Sequence, residues 1–133
     1  MGGTKKVIKL RTSSKEEIID ITDRVNEAIK GFGKKEGVCL LFVPHTTAAI
    51  FVNEGYDPSV KKDIGVTLGR LIPQNLDYSH LEGNSPAHIK SSIVGISLLV
   101  PVENGQIALG RWQSVFFAEF DGPRQREVWV WLL

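Results

Sequence analysis

The pattern of apolar and polar residues predicts that much of the chain forms short strands. Residues 7–11 and 17–21 are rich in β-branched side chains and partly alternate, and they flank a turn at residues 13–15. Residues 38–43 are apolar without alternation, as in a strand covered on both faces, and residues 48–52 predict the next strand. The first 52 residues therefore contribute four predicted strands.

The last third of the chain predicts antiparallel sheet. A strand at residues 96–102 leads into Asn104-Gly105, which is the strongest short-range hairpin signal in the sequence. Residues 112–120 and 126–133 predict two more strands, joined by residues 121–124. We expect this part of the chain to supply much of the sheet.

The first predicted helix lies within the first group of strands, between residues 17–21 and residues 38–43. Thr22 is its predicted cap, and Gly31 and Gly33 stand where it should end. Its apolar positions recur at i, i+3, i+4 and i+7, on one helical face: Val25, Ala28, Ile29 and Phe32. We expect this helix to cover a sheet.

Two further helices are predicted in the middle of the chain. Asp57 and Pro58 offer a cap and a first-turn proline for the longer one. Its apolar face consists of Val60, Ile64, Leu68 and Leu71. Ser85 and Pro86 begin a short third helix, which Gly95 ends.

These elements predict an α+β fold. We expect a single compact domain over residues 1–133, with a mostly antiparallel β-sheet or sandwich, two longer helices and one short helix. A chain of 133 residues with 42% apolar content has the size and composition of one domain with a real core. Residues 74–84 form the one long segment without a sustained period, and such loops tend to be functional or mobile.

The charge balance argues against two classes of partner. The 16 basic and 15 acidic residues are spread along the chain and leave a net charge of +1, without the basic patch of a nucleic-acid or membrane-surface binder. Residues 1–6 lack the apolar core of a signal peptide, and no apolar run approaches the roughly 18 residues of a membrane span. We expect a soluble, cytoplasmic protein that binds neither nucleic acid nor membrane.

The three histidines are the first candidate group for chemistry. His45 ends a predicted strand, His80 lies in the long loop, and His88 falls in the first turn of the third helix. Three neutral imidazoles that converge would form the protein half of an open zinc site, with water in the fourth position. Their spacing matches no local ligand motif, so three unrelated polar residues remain the alternative.

The second group interrupts the apolar run of residues 40–52. Thr46 and Thr47 follow His45 at the junction of two strands, and Asn53 and Glu54 stand at the end of the second strand. We expect both pairs to reach one polar cleft, with the second strand carrying Asn53 and Glu54 back towards it. The alternative is that they bond neighbouring backbone and begin the turn before the next helix.

The third group follows the strand at residues 112–120. Glu119 and Asp121 point to one side of that strand, about 7 Å apart along the chain. Such a pair suits magnesium, a general base, or salt bridges to the nearby arginines. Arg124 and Arg126 are also two apart, and they would form a fork for a phosphate or carboxylate, or else remain solvated charges. Trp112 is more often a core or interface residue than a ligand platform.

Several polar motifs in this order resemble the YjbQ-like family, often described as a secondary thiamine phosphate synthase family. The motifs are HTTAAIFVNEG, DYSHLEGNSPAH and NGQIALGRWQSVFFAEFDGPRQREV, and the match runs from about residue 6 to residue 133. The resemblance implies a β-sandwich core, a homotrimer, and weak thiamine phosphate synthase activity. In that reaction a hydroxymethylpyrimidine diphosphate joins a thiazole phosphate and pyrophosphate is released.

The family's shared polar residues fall on these candidate positions, and we base on them a hypothesis for the role of each. A divalent metal ion, zinc or magnesium, would be held by His45, His80 and His88. Phosphorylated substrate would be bound by Thr46, Thr47, Asn53, Asn84, Ser91, Arg124 and Arg126. Glu119 or Glu54 would orient the pyrimidine amine or act as a base, Asp121 would position an arginine, and Gln113 is a further candidate for a catalytic role.

Two other classes of function use the same residues. A metal-dependent phosphoesterase would need the same ion and arginines with water as the nucleophile. A non-catalytic protein that binds a metal or a phosphate ligand would use the polar cluster for binding or for subunit contacts.

Overall fold

Two antiparallel sheets pack face to face in the computed structural model, which describes residues 4–133. The five-stranded sheet has the order β1-β8-β3-β5-β6, and the three-stranded sheet has the order β2-β7-β4. The strands are β1 Lys6–Arg11, β2 Glu17–Asp20, β3 Gly37–Phe42, β4 Ala48–Glu54, β5 Ser97–Glu103, β6 Gln106–Ile107, β7 Gln113–Glu119 and β8 Gln125–Leu132. The helices are α1 Thr22–Lys30, α2 Pro58–Leu71 and α3 Ser85–Val94. The predicted α+β fold is confirmed.

The main core lies between the two sheets. Alternate residues of β3, β7 and β8 point inward, and Leu41, Phe117 and Val130 are completely buried there. Helix α1 closes one side of the core with Val25 and Ile29, as its apolar periodicity predicts. Burial also raises the pKa of the Cys39 thiol, which points into this core, to about 12.

The outer face of the five-stranded sheet is not covered by any helix within residues 4–133. In β3, Val38 is 40% exposed, whereas its inward-facing neighbour Cys39 is buried. The prediction that β3 is covered on both faces is therefore wrong for the single chain. Residues that lie opposite each other in the pairing of β1, β8, β3 and β5 share this face. The apolar ones, which we call the apolar outer face, are Val7, Val38, Leu40, Phe42, Leu99, Trp129 and Trp131.

The outer face of the three-stranded sheet is covered by helices. Ala118 and Phe120 pack there against Ala87 of α3 and the half-buried Leu68 of α2. Asp57 caps α2 as predicted, since its carboxylate accepts the Ser59 N–H at 2.9 Å. Helix α2 buries none of its residues fully, so it is attached less tightly than α1 and α3.

The predicted cap of α1 is wrong. The helix begins at Thr22 itself, and the residue at the cap position is Ile21, which makes no side-chain cap. The Thr22 hydroxyl instead donates to Asp20 at 2.6 Å and accepts the Val115 N–H of β7 at 2.9 Å. A threonine that bridges a helix to a strand has the same local sequence as a capping threonine, so only the fold distinguishes them.

Two connections cross between the sheets at the same end of the sandwich. The chain passes from β3 to β4 through residues 43–47, and from β7 to β8 through residues 120–124. Ala48 pairs with Glu119, so the start of β4 lies beside the end of β7 at this end. Arg11 pairs with Gln125, so the end of β1 lies beside the start of β8 at the same end. We call it the crossover end, and most of the candidate residues lie there.

No helix within residues 4–133 is both long and apolar enough to cross a membrane. The prediction that residues 1–6 lack a signal-peptide core falls partly on residues 1–3, which lie outside the described residues.

Candidate functional site

A polar cavity of about 440 Å³ opens at the crossover end. All three histidines line it, although they come from a strand junction, a loop and a helix: His45, His80 and His88. The other polar residues around it are Thr46, Thr47, Glu82, Asn84, Arg124 and Arg126. We call this cavity the histidine cleft. The fold therefore achieves the convergence that local spacing does not indicate.

His45 is held by the backbone of β8. Its Nε2 accepts the N–H of Glu127 at 2.9 Å, so the neutral ring carries its proton on Nδ1. Burial lowers the pKa of His45, and the positive charge of Arg126 lowers it further, against the smaller opposing effects of Glu119 and Glu127. His45 is therefore a neutral imidazole that presents an N–H donor.

The arrangement of the histidines does not fit a closed three-histidine metal site. His80 and His88 stack edge to face, with ring centroids 5.2 Å apart, but the Nε2 lone pair of His45 is already used by Glu127. Among residues 4–133, no three His, Cys, Asp or Glu side chains are placed to hold one ion. To join a metal through Nε2, His45 would have to give up the backbone bond, so the zinc or magnesium site stays a prediction.

A buried ion pair supports the floor of the cleft. The Nε of Arg126 donates to one carboxylate oxygen of Glu119 at 2.8 Å, and its Nη2 donates to the other. The same Nη2 also donates to the Thr47 hydroxyl at 2.9 Å. The Thr12 hydroxyl and the Asp121 N–H donate to the same carboxylate at 2.8 and 3.0 Å. Glu119 is completely buried and Arg126 is 5% exposed. Both oxygens of Glu119 are thus used inside the protein.

These contacts determine the ionisation of Glu119. Burial alone would raise the pKa of this carboxyl, but the hydrogen bonds from Arg126, Asp121 and Thr12 and the charge of Arg126 outweigh it and hold the pKa below its ordinary value. Glu119 does not line the histidine cleft. It is therefore placed to position Arg126 rather than to act as a general base or to touch a substrate.

Asp121 and Arg124 form the second acid-base pair. Arg124 donates to the Asp121 carbonyl from Nε at 2.7 Å and to its carboxylate from Nη2 at 2.9 Å, and about half of the arginine side chain is exposed. Burial would raise the pKa of Asp121, but hydrogen bonds from Asn84 and Arg124, with the charges of Arg124 and Lys15, hold it below the ordinary value. Asp121 therefore fixes an arginine that remains open to the cleft.

The two arginines of the predicted fork are therefore not equally available to a ligand. Arg124 presents an exposed guanidinium, whereas Arg126 spends Nε and Nη2 on Glu119 and Thr47. For both acids, the salt-bridge alternative describes the arrangement. An anion in the cleft would meet Arg124 first.

Asn84 carries an unusual acceptor at the same place. Its amide nitrogen donates to the Asp121 carboxylate at 2.9 Å. Its Oδ1 is the one buried side-chain polar atom within residues 4–133 that has no hydrogen-bond partner. A buried acceptor without a donor is costly in a folded protein, and a ligand N–H would satisfy it.

Asn53, Glu54 and Gln113 do not reach the histidine cleft. Glu54 pairs with Gln113 at one end of the three-stranded sheet, six residues from the pairing of Ala48 with Glu119 at the other. At 3.3 Å per residue the two pairs are about 20 Å apart. The prediction that β4 returns to the cleft is wrong for the single chain, because β4 is a straight strand that leads away from the crossover end.

These distant residues make local contacts instead. Asn53 accepts the N–H of Glu54 at 2.7 Å, and Glu54 accepts the N–H of Asp57 at 3.2 Å. Gln113 accepts the N–H of Gly110 at 2.7 Å. They stabilise turns, and Trp112 stacks nearby on Tyr56 with ring centroids 5.0 Å apart.

Ser91 is also outside the cleft. Its side chain is buried, and its hydroxyl donates to the Ala48 carbonyl at 2.6 Å. The prediction that Ser91 binds a phosphate is wrong for the single chain, because its hydroxyl is used in a hydrogen bond between α3 and β4. Thr12, which the sequence reasoning missed, follows β1 with no motif around it, and its contact with Glu119 spans 107 residues.

Comparison with known proteins finds one family. The model of the UPF0047 protein YjbQ-like family matches residues 6–133. A UPF0047 protein of Methanocaldococcus jannaschii is 52% identical over 122 residues, which cover 92% of this chain and 88% of the relative. The UPF0047 protein YugU of Bacillus subtilis is 44% identical over 126 residues, with coverage of 94% and 96%.

Solved structures agree with the fold. An uncharacterized conserved protein of the YjbQ/UPF0047 family from Clostridium acetobutylicum superposes with a TM-score of 0.93 at 46% identity, covering 96% of this chain and 99% of the other. A conserved hypothetical protein from Thermus thermophilus gives a TM-score of 0.90 at 47% identity, with the same coverage.

Proposed function

The chain belongs to the YjbQ-like UPF0047 family, and we propose that it binds a phosphorylated small molecule in the histidine cleft and acts as a thiamine phosphate synthase-like transferase. The reaction joins a hydroxymethylpyrimidine diphosphate to a thiazole phosphate. The observation that carries the proposal is Arg124, whose half-exposed guanidinium is fixed by Asp121 at the wall of a cavity rich in neutral donors.

The chemistry needs an anion-stabilising site more than an acid or a base. The bond between the pyrimidine methylene carbon and the diphosphate oxygen breaks, the thiazole nitrogen forms a bond to that carbon, and pyrophosphate leaves with the electron pair. Donors that are already in place where negative charge develops lower the barrier of such a step. Arg124, the Thr46 hydroxyl and the Nδ1–H of His45 are the donors at the cleft.

The pyrimidine amine needs an acceptor, and Asn84 supplies one. The buried Oδ1 of Asn84 has no partner in the part of the chain that the structure describes, and Asn84 lines the cleft. If the Asn84 side chain shifted so that Oδ1 reached the cleft, an amino group that donates to Oδ1 would satisfy this atom and orient the ring. Asn84 therefore takes the orienting role that the sequence analysis gives to Glu54 or Glu119.

A divalent metal is not needed for these assignments. If the predicted ion binds, the imidazoles of His80 and His88 are the ligands closest to each other, and the ion would add positive charge at the leaving diphosphate. Elemental analysis of the purified protein, before and after chelation, measures the amount of metal bound per chain. Stoichiometric zinc or magnesium would support the metal site, and its absence would leave Arg124 as the main charge.

The test of the proposed function is the condensation itself. The protein is incubated with hydroxymethylpyrimidine diphosphate and thiazole phosphate, and thiamine phosphate and pyrophosphate are measured together. We expect the two products in equal amounts and neither without the thiazole. Release of inorganic phosphate from phosphate esters, with no thiazole present, would instead identify a phosphoesterase.

We also propose that the protein is a homotrimer in which a second copy covers the apolar outer face. A contiguous face of aliphatic and tryptophan side chains is typical of an interface. His45 and Arg126 lie close to the polar end of the same face, so the histidine cleft would then lie near a subunit boundary.

Replacing Leu99 tests this interface. Leu99 is 68% exposed on the apolar outer face, and Leu71, 71% exposed on α2, is a matched control. By light scattering we expect three times the chain mass of 14.7 kDa for the wild type and for Leu71→Lys, and smaller particles for Leu99→Lys, because the interface would have to bury a charge. A monomeric wild type would contradict the trimer, and trimers of equal mass for all three proteins would contradict the place of its interface.

A further inference from the structure

A second cavity, of about 530 Å³, lies beside the histidine cleft. It is lined by Lys9 and Arg11 of β1 and by Gln125 and Glu127 of β8, and we call it the β1 cavity. His45 and Arg126 line both cavities. The two spaces therefore meet at a ridge formed by one imidazole and one guanidinium.

The cations of the β1 cavity are available to a ligand. Lys9 and Arg11 are two residues apart on β1, so both side chains project to the same face of the sheet, about 7 Å apart. Neither takes part in any of the salt bridges formed within residues 4–133. The one carboxylate of the cavity, Glu127, faces Lys9 in the strand pairing but accepts the indole N–H of Trp129 at 2.9 Å.

The ridge offers two donors that are fixed from behind. Arg126 uses Nε and Nη2 for Glu119 and Thr47, while its Nη1 makes no hydrogen bond to residues 4–133 and is not among their fully buried atoms. His45 accepts from the Glu127 backbone, which leaves its Nδ1–H as a donor. Because neither side chain must reorganise to bind, both suit recognition of an anion.

We infer that the β1 cavity is a second anion subsite, in which Lys9 and Arg11 bind a phosphate or similar group next to the one held by Arg124. This deepens the proposed function and rests on it for the nature of the first ligand. The substrate class it implies is a pair of anionic groups, carried either by two molecules or by one molecule that spans the ridge. Lys9 and Arg11 are exposed, and they attract an anion because two positive charges without salt-bridge partners within residues 4–133 lie side by side next to the donors of the ridge.

The experiment follows the side-chain Nε–H signals of the arginines by NMR during titration with inorganic phosphate, with sodium chloride at the same ionic strength as the reference. We expect the signals of Arg11 and Arg124 each to shift and saturate. The variant Lys9→Gln, which keeps the Arg11 signal, should weaken phosphate binding at the β1 cavity by at least about tenfold and leave the Arg124 titration nearly unchanged. Lys30→Gln and Arg70→Gln, which remove exposed charges outside both cavities, should alter neither.

A second arm separates the two sources of the anion. With pyrophosphate saturating Arg124, an Arg11 signal that still titrates with added phosphate indicates two molecules. Signals that saturate together with pyrophosphate alone indicate one molecule across the ridge. An Arg11 signal that moves no more with phosphate than with sodium chloride overturns the subsite. Because this readout needs no turnover, a negative condensation assay would refute the proposed transferase and leave the subsite standing.

Discussion

Replacing Glu119 by alanine is expected to lower the free energy of unfolding by about 3–5 kcal/mol, because it leaves Arg126 charged and buried without its counter-ion. The same change removes the acceptor for Thr12 and for the Asp121 backbone. Urea denaturation measures the loss as a lower midpoint with an unchanged slope. No other acid-base pair in the part of the chain that the structure describes is buried on both sides.

Two further variants separate the charge effect from lost packing. Glu27→Ala breaks the exposed pair with Lys30 and should cost less than about 1 kcal/mol. Glu119→Leu/Arg126→Met removes both buried charges and should recover much of the stability that Glu119→Ala loses. If Glu119→Ala costs no more than Glu27→Ala, the buried pair does not support the floor of the cleft.

The pKa of Glu119 gives the same pair a pH signature. A carboxyl whose pKa is lower in the folded chain than its unfolded value of about 4.5 stabilises the fold above that pH. This contribution should be lost as the pH falls from about 5 through the lower folded pKa. The difference in unfolding free energy between the wild type and Glu119→Gln should therefore shrink on acidification, and a difference that grew would contradict the assignment.

Replacing Arg124 by glutamine is expected to lower the rate of thiamine phosphate formation by about 10²–10³-fold, because the leaving diphosphate loses its exposed cation. Stability should change by less than about 1 kcal/mol, since the side chain is half exposed and its partner Asp121 keeps the bond from Asn84. Initial rates of pyrophosphate release measure the effect.

Two variants test whether the lower rate of Arg124→Gln arises in the histidine cleft. Arg70→Gln removes an exposed cation at the end of α2 and should leave the rate unchanged. Asn84→Asp, which replaces the amide donor to Asp121 by a second carboxylate, should also slow the reaction by misplacing Arg124. Equal rates for the wild type and Arg124→Gln would show that the reaction does not depend on this guanidinium.

The fold could be predicted because its signals are local. The partial alternation of residues 7–11, the Asn104-Gly105 turn and the periodicity of α1 each depend on neighbouring residues, and each element is present with bounds within a few residues of the prediction. The assignment of strands to two sheets could not be predicted in this way. Residues 120–124 join β7 to β8, yet these strands belong to different sheets, and the choice depends on long-range packing.

The candidate site was predictable in its residues more than in its roles. His45 and Thr47 are predicted because they interrupt an apolar run, and Arg124 because it lies two residues from a second arginine. All three line the histidine cleft. Glu119 and Ser91 carry the same chemical types but are buried, and a sequence does not tell a buried partner from an exposed one. Glu54 was misplaced because the direction of β4 after the crossover depends on its pairing with β7.

A crystal structure of the protein soaked in pyrophosphate would show directly whether the histidine cleft is the phosphate site. We expect the anion in the cleft, bonded to the guanidinium of Arg124 and within reach of Thr46 and His45, and no anion at that place in Arg124→Gln crystals. Pyrophosphate bound away from the cleft in the wild type, or the same density in Arg124→Gln, would contradict this assignment.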